Sequence, residues 1–297
     1  MLSQRGLEAF HATMISGSIS AAADMLHVSQ PAVSRLIRDL EETLGFSLFL
    51  RMGGKIVPTH EARELSAEVE RAFIGLSTIE RAAAEIRRGR RAAISVAAMP
   101  ALALGALPDV IVRLRASLPE VRIELLSMQT HNVIRQVASR QCQIGFTAPM
   151  RQQVEVDLVK SYSLPYHCIF PAGHPLEARA EVAIQDLDGQ NFVAFTAGTA
   201  TGQTFEQVFA ARRTPPLITV RSHLSQIIAK LVGRGMGAAI VDPFTARAFV
   251  AEGGCSRPVA LPDRFACAAI RPLGQKVTLE IQALLDGFDA EVASLAD

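Results

Sequence analysis

The sequence predicts a protein of mixed α/β class, with a helical N-terminal segment, a long helix, and a larger segment in which strands and helices alternate. Through about the first ninety residues, apolar side chains recur at helical spacing, as at Leu7, Phe10 and Met14. After a basic run at residues 87–91, strand-like runs alternate with helical ones, which is typical of a domain with parallel strands. The 297 residues, 49% of them hydrophobic, suffice for two or three packed domains.

Charge and cysteine content limit the classes of function. Lys and Arg total 30 against 29 Asp and Glu, a formal net charge of +1, which at first sight argues against a nucleic-acid binder. That sum does not say where the charges lie.

The cysteines are far apart and have no histidine at metal-ligand spacing, so neither a disulfide framework nor a metal site is predicted. They are Cys142, Cys168, Cys255 and Cys267.

Neither a signal peptide nor a membrane span is predicted. Charges at Arg5 and Glu8 interrupt the N-terminal segment, and Pro100 and Pro108 break the most apolar stretch, residues 94–112. We therefore expect a cytoplasmic protein with no membrane partner.

The first 58 residues predict three helices followed by a hairpin. Gly17 ends the first helix, and Ser18 or Ser20 can cap a short second one. A third helix begins near Ser29-Gln30-Pro31, with the proline in its first turn, and runs to about residue 44. Two short extended segments then flank Gly53-Gly54, which predicts a small hairpin.

The third helix carries polar groups suited to DNA on the face opposite its apolar residues. These are Gln30, Ser34, Arg35 and Arg38. In a helix-turn-helix the second helix enters the major groove, where glutamine can pair with adenine and arginine with guanine. Near the hairpin tip, Arg51 and Lys55 would reach phosphates or the flanking minor groove. The pattern favours a winged helix-turn-helix; a plain three-helix packing module is the alternative.

From Thr59 to about Arg88 the sequence predicts one long helix. Its apolar or small residues recur at alternating steps of 3 and 4, the pattern of a coiled-coil seam: Ala62, Leu65, Val69, Ala72, Leu76, Ile79, Ala83 and Ile86. About thirty residues at about 1.5 Å each form a rod of about 45 Å, too long to bury this seam on itself. We expect a dimer through the seam from Leu65 to Ile86; a helix lying on its own domain is the alternative.

Residues 92–297 predict about eight strands and five helices, too many strands for one small sheet, so two subdomains are expected. Strands are predicted at 93–97, 121–126, 144–147, 168–171, 192–195, 218–220, 238–241 and 265–270. Helices are predicted at 102–116, 133–139, 203–212, 225–233 and 277–295.

The run from Ala21 through Ser29-Gln30-Pro31-Ala32-Val33-Ser34-Arg35 to Leu44-Gly45-Phe46-Ser47-Leu48-Phe49-Leu50-Arg51 closely resembles the signature of the LysR-type transcriptional regulators. The resemblance implies a winged helix-turn-helix domain at 1–58, a linker and dimerisation helix with a hinge at 59–91, and an effector-binding domain at 92–297. It also implies that this last domain is similar to periplasmic binding proteins, with subdomain I at about 92–163 and 269–297 and subdomain II at about 164–268.

By this resemblance, Gln30, Pro31, Ser34 and Arg35 are groove contacts and Arg51 is the hairpin contact. With Ser29, Arg38 and Lys55 they form the predicted set of DNA-binding residues. The implied partners are double-stranded promoter DNA, further copies of the chain in a dimer or a dimer of dimers, RNA polymerase and a small-molecule effector. No cofactor is implied.

In that family the effector binds between the subdomains, near strand ends and helix N-termini, where backbone N–H groups suit a carboxylate. The matching positions are Ala98, Met99, Pro100, Ala101, Phe146, Thr147, Thr196, Thr199, Ser222, His223 and Asp242. The stretches 97–103 and 235–243 look most like the subgroup that responds to opines and basic amino acids. An amine-bearing effector would make Asp242 its counter-ion; a turn residue before Pro243 is the alternative.

Two other classes compete. An enzyme is not expected, because the seven histidines are scattered and no nucleophile elbow, phosphate-binding loop, zinc-protease or dinucleotide motif is present in the sequence. We predict no catalytic residue. A transport-type solute-binding protein would fit residues 92–297 alone, but the attached helix-turn-helix and the missing signal peptide argue against it.

Overall fold

The structure, a computed structural model, describes residues 2–52, 55–87, 94–149, 155–261 and 263–295. The chain divides into two compact units, Met1–Arg88 and Gly89–Asp297. The predicted Gly53-Gly54 turn, the end of the linker at 88–91 and the first residue of the strand predicted at 93–97 lie outside the described residues.

The first unit has the predicted order of three helices, a hairpin and a long helix. Its elements are α1 (Gln4–Ser16), α2 (Ile19–Leu26), α3 (Gln30–Leu44), β1 (Phe49–Met52), β2 (Lys55–Pro58) and α4 (His60–Arg87). Capping side chains start the helices, since the hydroxyls of Ser3 and Ser18 accept backbone N–H groups of α1 and α2. Gly17 and Gly45 end α1 and α3 in the left-handed conformation.

Two apolar clusters hold the first unit together. In one, Ala9, Ala22 and Val33 bring α1, α2 and α3 into close contact. In the other, Phe10 and Leu40 pack with residues at the start of α4. The carboxylate of Glu41 accepts the backbone N–H groups of Leu48 at 2.6 Å and Phe49 at 3.2 Å, so the start of the antiparallel β1–β2 hairpin is held against α3.

The second unit alternates strands and helices, followed by a final helix. Its elements are β3 (Ile94–Ala98), α5 (Pro100–Leu104), α6 (Leu107–Ser117), β4 (Ile123–Ser127), α7 (Thr130–Ala138), β5 (Ile144–Thr147), β6 (Val156–Leu164), β7 (His167–Phe170), β8 (Asn191–Phe195), α8 (Ala200–Ala210), β9 (Leu217–Ser222), α9 (Ser225–Gly233), β10 (Ala239–Val241), α10 (Pro243–Ala251), β11 (Cys255–Pro258), β12 (Phe265–Pro272) and α11 (Leu279–Ala293). Two short 3-10 helices, Pro175–Ala178 and Ile184–Leu187, lie between β7 and β8.

The strands form two lobes. In the first lobe the sheet order is β4-β3-β5-β12-β6, with β3 parallel to β4 and β5, and with β12 antiparallel to β5 and β6. In the second lobe β8 and β9 are parallel, and β7 lies between β10 and β11. Backbone hydrogen bonds from Ala238 to Asn191 and from Val193 to Ala238, both 2.9 Å, join these two groups.

Gly237 makes this join possible. Its φ of 112° is disfavoured for other residues, and a Cβ there would lie 2.1 Å from the carbonyl oxygen of Asn191.

The chain passes between the lobes twice, from β6 to β7 and from β11 to β12. One buried apolar cluster runs through both lobes and includes Phe146, Phe192 and Phe244.

Several predicted elements differ from the structure. The helix predicted at 102–116 is two helices, α5 and α6, because the chain turns at Gly105. The sequence analysis did not predict β6, α10 or β11. The subdomain boundary drawn between residues 268 and 269 falls inside β12, and residues 265–268 pair with β6 of the first lobe, so this end of the predicted subdomain II belongs to the first sheet.

Candidate DNA-binding surface and ligand cavity

The polar face of α3 is exposed, as a groove-reading helix requires. Val33, Ile37 and Leu40 face the core of the unit, and the opposite face presents the predicted contact residues. Of these, Ser29, Gln30, Pro31, Arg35 and Arg38 are exposed and Ser34 is half-buried. The carboxylate of Asp39 lies 3.8 Å from the guanidinium of Arg35, and both side chains are exposed. Because an exposed ion pair of this kind contributes little free energy, the guanidinium stays available to bind another partner.

The wing is formed by β1 and β2, which are joined in register from the Phe49–Pro58 pair to the Met52–Lys55 pair. Arg51 lies near the end of β1 and Lys55 lies at the start of β2. Their side chains lie outside what the structure describes.

The predicted seam of α4 divides into two parts. Ala62 and Val69 are buried, and Leu65 packs beside them against α1 and α3 of the same unit. Ala72 and Ala83 are exposed, Leu76 is 43% exposed and Ile79 is 66% exposed. The side chain of Ile86 lies outside the described part. The first turns of α4 thus pack within the unit, whereas the seam residues Ala72, Leu76, Ile79 and Ala83 are exposed.

In the second unit, a cavity of about 450 Å³ lies between the two lobes. From the first lobe it is lined by Met99, Pro100, Ala101, Gln129, Thr130, His131, Ala148 and Pro149; from the second lobe and the crossing strands it is lined by Tyr166, Phe195, Gly198, Thr199, Thr201, His223, Leu224, Ser225, Asp242 and Phe265. Most of these residues follow the carboxyl ends of parallel strands, the edge at which open α/β sheets bind ligands.

Helices α7, α8 and α9, each of at least two turns, begin at the cavity, and Asp242 at the cavity wall caps α10. The hydroxyl of Thr199 accepts the N–H of Gly202 at 3.0 Å and so caps α8.

The backbone N–H groups of Asn132 and Ile227 donate back to the carbonyls of Gln129 and Leu224. The N–H groups that precede them in α7 and α9 have no acceptor within their own helix, and they point toward the cavity end of the helix. This end of each helix carries a partial positive charge that favours a carboxylate.

Asp242 is the acidic side chain of the lining, and it is 3% exposed. It caps α10, with Oδ1 accepting the N–H of Thr245 at 2.9 Å and Oδ2 accepting the Thr245 hydroxyl at 2.8 Å. Burial raises the pKa of this carboxyl, while hydrogen bonds from Thr245 and Ser225 act in the opposite direction. The Thr245 oxygen lies 3.2 Å from Oγ of Ser225, so the carboxylate belongs to a buried network at the cavity wall.

The structure brings together part of the predicted effector set. Met99, Pro100, Ala101, Thr199, His223 and Asp242 line the cavity. Ala98, Phe146 and Thr147 are fully buried in their strands, where Phe146 packs on Phe288 with ring centroids 4.7 Å apart. Thr196 and Ser222 shape the loops behind the lining, because Thr196 accepts the N–H of Thr199 and Ser222 accepts the N–H of Leu224.

The sequence analysis missed the cavity residues at the start of α7 and on the crossing strands. Gln129, Thr130 and His131 precede Val133, where the predicted helix began, so the helix start was set too late. No capping hydroxyl marked this helix start, because Gln129 occupies the N-cap position of α7 without a side-chain cap hydrogen bond. Tyr166 and Phe265 lie where the chain crosses between lobes, and no local pattern marks such a position.

A winged helix-turn-helix unit and a two-lobed α/β unit with a polar interlobe cavity define a class of protein, the ligand-responsive DNA-binding regulators. Comparison with known families identifies both units. Residues 4–63 match the bacterial regulatory helix-turn-helix protein of the lysR family, and residues 87–292 match the LysR substrate binding domain. The chain belongs to the LysR family of transcriptional regulators, which bind promoter DNA and small-molecule effectors, as the resemblance in residues 21–51 predicted.

Individual relatives match over most of the chain. The transcriptional activator protein LysR of Escherichia coli is 28% identical over 98% of this chain and 94% of its own length. The octopine catabolism/uptake operon regulatory protein OccR of Rhizobium meliloti is 36% identical over 82% of this chain and 81% of its own. The regulatory protein NocR of Agrobacterium fabrum is 34% identical over 83% of this chain and 82% of its own length.

Solved structures share the fold. CbnR, a LysR family transcriptional regulator, covers 99% of this chain and 99% of its own with a TM-score of 0.65 at 19% identity. Full-length CbnR in complex with its target DNA has a TM-score of 0.66 at 19% identity, over 98% of this chain and 99% of its own. The mixed α/β prediction, with a helical DNA-binding part and a sheet-containing effector domain, is confirmed.

None of the helices in the described ranges is both long and apolar enough to cross a bilayer.

Proposed function

We propose that the effector of this regulator is an amino-acid-type compound, with a carboxylate and a positively charged amine, held in the interlobe cavity. Asp242 is the observation that carries the proposal. A buried carboxylate at a cavity wall favours a cationic partner, because an unpaired buried charge is costly. Within the described part of the chain, the hydrogen-bond donors to Asp242 are neutral groups of Thr245 and Ser225, so the amine of the effector would supply the positive charge.

The carboxylate of such an effector would lie at the helix N-termini. The first turns of α7 and α9 face the cavity from opposite lobes, and the capped start of α8 lies beside them. Met99, Pro100, Ala101, Thr199 and His223 would form part of the same contact surface. An effector that reaches both lobes would stabilise their closed arrangement, since it binds that arrangement with more contacts than an open one.

The relatives support an opine or a basic amino acid as the effector. OccR of Rhizobium meliloti is named for octopine catabolism, and it is 36% identical to this chain. Octopine is arginine with a carboxyethyl group on its α-amino nitrogen. Both octopine and arginine therefore present an amine and a carboxylate that the cavity could accept.

Isothermal titration calorimetry of the full chain tests this proposal. We expect arginine, lysine or octopine to bind, and benzoate, which has a carboxylate but no amine, to bind at least about tenfold more weakly. Asp242→Asn keeps a capping oxygen but removes the charge, so it should weaken amine binding by about tenfold or more. Asp186→Asn is the matched control, because Asp186 also caps a helix but does not line the cavity. Unchanged affinity in Asp242→Asn would remove the counter-ion role.

We also propose that α3 and the hairpin make the DNA contacts. The exposed residues Ser29, Gln30 and Pro31 start α3, and Ser34, Arg35 and Arg38 follow on its outer face. Entering the major groove N-terminus first would bring Gln30 and Arg35 to base edges. Arg51 and Lys55 of the hairpin would bind the flanking phosphates.

Self-association through α4 is the third part of the proposal. Exposed apolar residues at Ala72, Leu76, Ile79 and Ala83 keep the 3–4 spacing of a coiled-coil seam, and a second copy of α4 would cover them. Leu65 and Val69 are used within their own unit, so we limit the pairing surface to the later residues. Two paired copies would place two α3 helices on an inverted-repeat site.

This proposal assigns DNA binding to residues 1–58, pairing to 59–91 and effector binding to 92–297, and it describes a regulator rather than an enzyme. Because the promoter is its target, we expect the protein to act in the cytoplasm.

A further inference from the structure

A stacked pair of rings joins the DNA-reading helices of the first unit to its long helix α4. His11 lies in the middle of α1, and its imidazole stacks on the ring of Phe73 in α4, with ring centroids 5.2 Å apart and 22° between the planes. Both side chains are half-buried. Phe73 also packs against the apolar cluster of Phe10 and Leu40, and Leu40 belongs to α3. The ring pair therefore connects α4 to the helices that present α3.

Phe73 lies where α4 leaves the helices of its own unit. Ala62, Leu65 and Val69, earlier in α4, pack in the same apolar cluster. Phe73 is the member of this cluster that lies farthest along the described part of α4. The residue before it, Ala72, is exposed and begins the proposed pairing surface. The contact that fixes the direction of α4 and the surface that meets a second copy thus lie side by side.

A small change of tilt at this contact would move the start of α3 by a large distance. Leu40 packs in the cluster with α4, and Gln30 precedes it by ten residues, about 15 Å along α3. Packed helices lie about 8–10 Å apart, so the start of α3 is about 15–20 Å from α4. Over that distance a tilt of about 10° moves the start of α3 by about 3 Å. Successive base pairs are about 3.4 Å apart, so this shift corresponds to about one base pair.

We infer that the stack of His11 on Phe73 fixes the tilt of α4 and thereby selects the spacing of the two DNA half-sites that a paired molecule binds. A half-site is the stretch of DNA read by one copy of α3. His11 and Phe73 are positioning residues, because they act through α3 and α4 without touching a base. The inference rests on the proposed function, since it assumes DNA contact through α3 and pairing through α4.

Duplexes with two half-sites at different separations test the inference on the full chain. A duplex selected by the protein from a random pool supplies the half-sites, and insertion or deletion of one or two base pairs between them supplies the series. Fluorescence anisotropy measures each affinity. We expect the unsubstituted protein to bind its preferred spacing at least about tenfold more tightly than the neighbouring spacings, because both copies of α3 must fit at once.

Three variants separate the ring stack from simple packing. His11→Ala and Phe73→Leu each remove one of the two rings. Each should lower the preference for the best spacing to less than about threefold, or move it by one base pair, while affinity for a duplex with a single half-site changes by less than about threefold. His11→Phe keeps a stacked ring and removes the buried Nδ1, which has no hydrogen-bond partner among the described residues. It should keep the spacing preference of the unsubstituted protein.

Ile19→Ala is the matched control for lost packing. Ile19 packs in the apolar cluster of α1, α2 and α3, whose described members include none from α4. Thermal melts followed by circular dichroism should show a lower Tm for Ile19→Ala, as for the variants that lose a ring. Its affinities should change equally at every spacing, so its preferred spacing should stay the same.

The outcomes distinguish this inference from the proposed function. If His11→Ala and Phe73→Leu both keep the original spacing preference, the inference is wrong. It is also wrong if His11→Phe or Ile19→Ala loses the preference as His11→Ala does. In each of these cases the unsubstituted protein can still be a dimer in light scattering, and the proposed pairing stands. If the unsubstituted protein is a monomer, the proposed pairing fails and this inference fails with it.

Discussion

The carboxylate of Glu291 in α11 accepts a hydrogen bond from the guanidinium of Arg113 in α6 at 2.6 Å. Arg247 in α10 pairs with the other oxygen of the same carboxylate, and Glu291 is only 4% exposed. Because α10 packs on strands of the second lobe while α6 and α11 flank the first sheet, one buried charge connects helices of both lobes.

Glu291→Gln should therefore destabilise the second unit. Two guanidinium groups would lose a shared anion, and removing a hydrogen-bonded charge of this kind costs about 1–3 kcal/mol. Urea unfolding of the full chain measures the loss. Asp286→Asn, an exposed carboxylate on the same helix, should stay within about 0.5 kcal/mol of the parent. Equal losses in the two variants would contradict a special role for Glu291.

The close approach of α5 and α10 leads to a second prediction. A Cβ on Gly105 would lie 2.6 Å from the carbonyl oxygen of Ala101 and 2.8 Å from Cβ of Phe244. Gly105→Ala must push α10 away, and we expect a loss of about 1–3 kcal/mol in urea unfolding. Gly233→Ala, where the nearest atom is a ring carbon of Phe249 at 3.4 Å, is the control and should change stability by less than about 1 kcal/mol.

The sequence predicted elements well where local signals agree. Pro31 in the first turn and Gly45 at the end marked α3 at both ends. α10 was missed because Asp242-Pro243 is compatible with both a turn and a helix start, and only the burial of Phe244 against its neighbours selects the helix. The nine-residue β6 carries exposed polar residues such as Lys160 at the sheet edge, so its apolar signal is weak.

For the candidate site, local sequence indicates which residues end strands but not which strand ends face each other. Thr199, His223 and Asp242 follow successive strands of the second lobe and meet at one cavity, as expected of parallel strands. Thr147 also ends a strand, yet its side chain is buried. Burial of this kind depends on the packing of two lobes, which a single sequence does not show.

Pairing of α4 with a second copy predicts an effect of charge at its exposed residues. Ile79→Asp would place a carboxylate in the seam, and we expect the assembly to dissociate toward smaller species at micromolar concentration, as measured by size exclusion with light scattering. Ile15→Asp is the matched control, because Ile15 is 62% exposed on α1 and lies outside the seam. Dissociation in both variants, or in neither, would contradict pairing through the exposed part of α4.

The burial of Asp242 predicts a pH-dependent stability. Its folded pKa is raised, so the folded chain holds this proton more tightly than the unfolded chain does. The protonated carboxyl therefore contributes to the free energy of unfolding below the usual aspartate pKa of about 3.9. This contribution is lost as the pH rises through the raised pKa of Asp242 in the folded chain. Asp242→Asn avoids that loss, and we expect its ligand-free Tm at pH 7 to exceed that of the parent by a few degrees. The gap should narrow at pH 4, as thermal scans at both values would show. A variant that melts below the parent at pH 7 would mean that the carboxylate stabilises the helix cap more than its burial costs.

Arg35 provides a test of how α3 contacts DNA. If its exposed guanidinium pairs with a base, Arg35→Ala should cost about 1–3 kcal/mol on a duplex selected by the protein from a random pool, and much less on random duplexes. Fluorescence anisotropy at several salt concentrations measures both affinities. Arg213→Ala removes an exposed arginine of the second unit and should leave both unchanged. An equal loss on the two duplexes, with a shallower salt dependence, would instead identify Arg35 as a phosphate contact, because phosphate contacts carry no sequence preference.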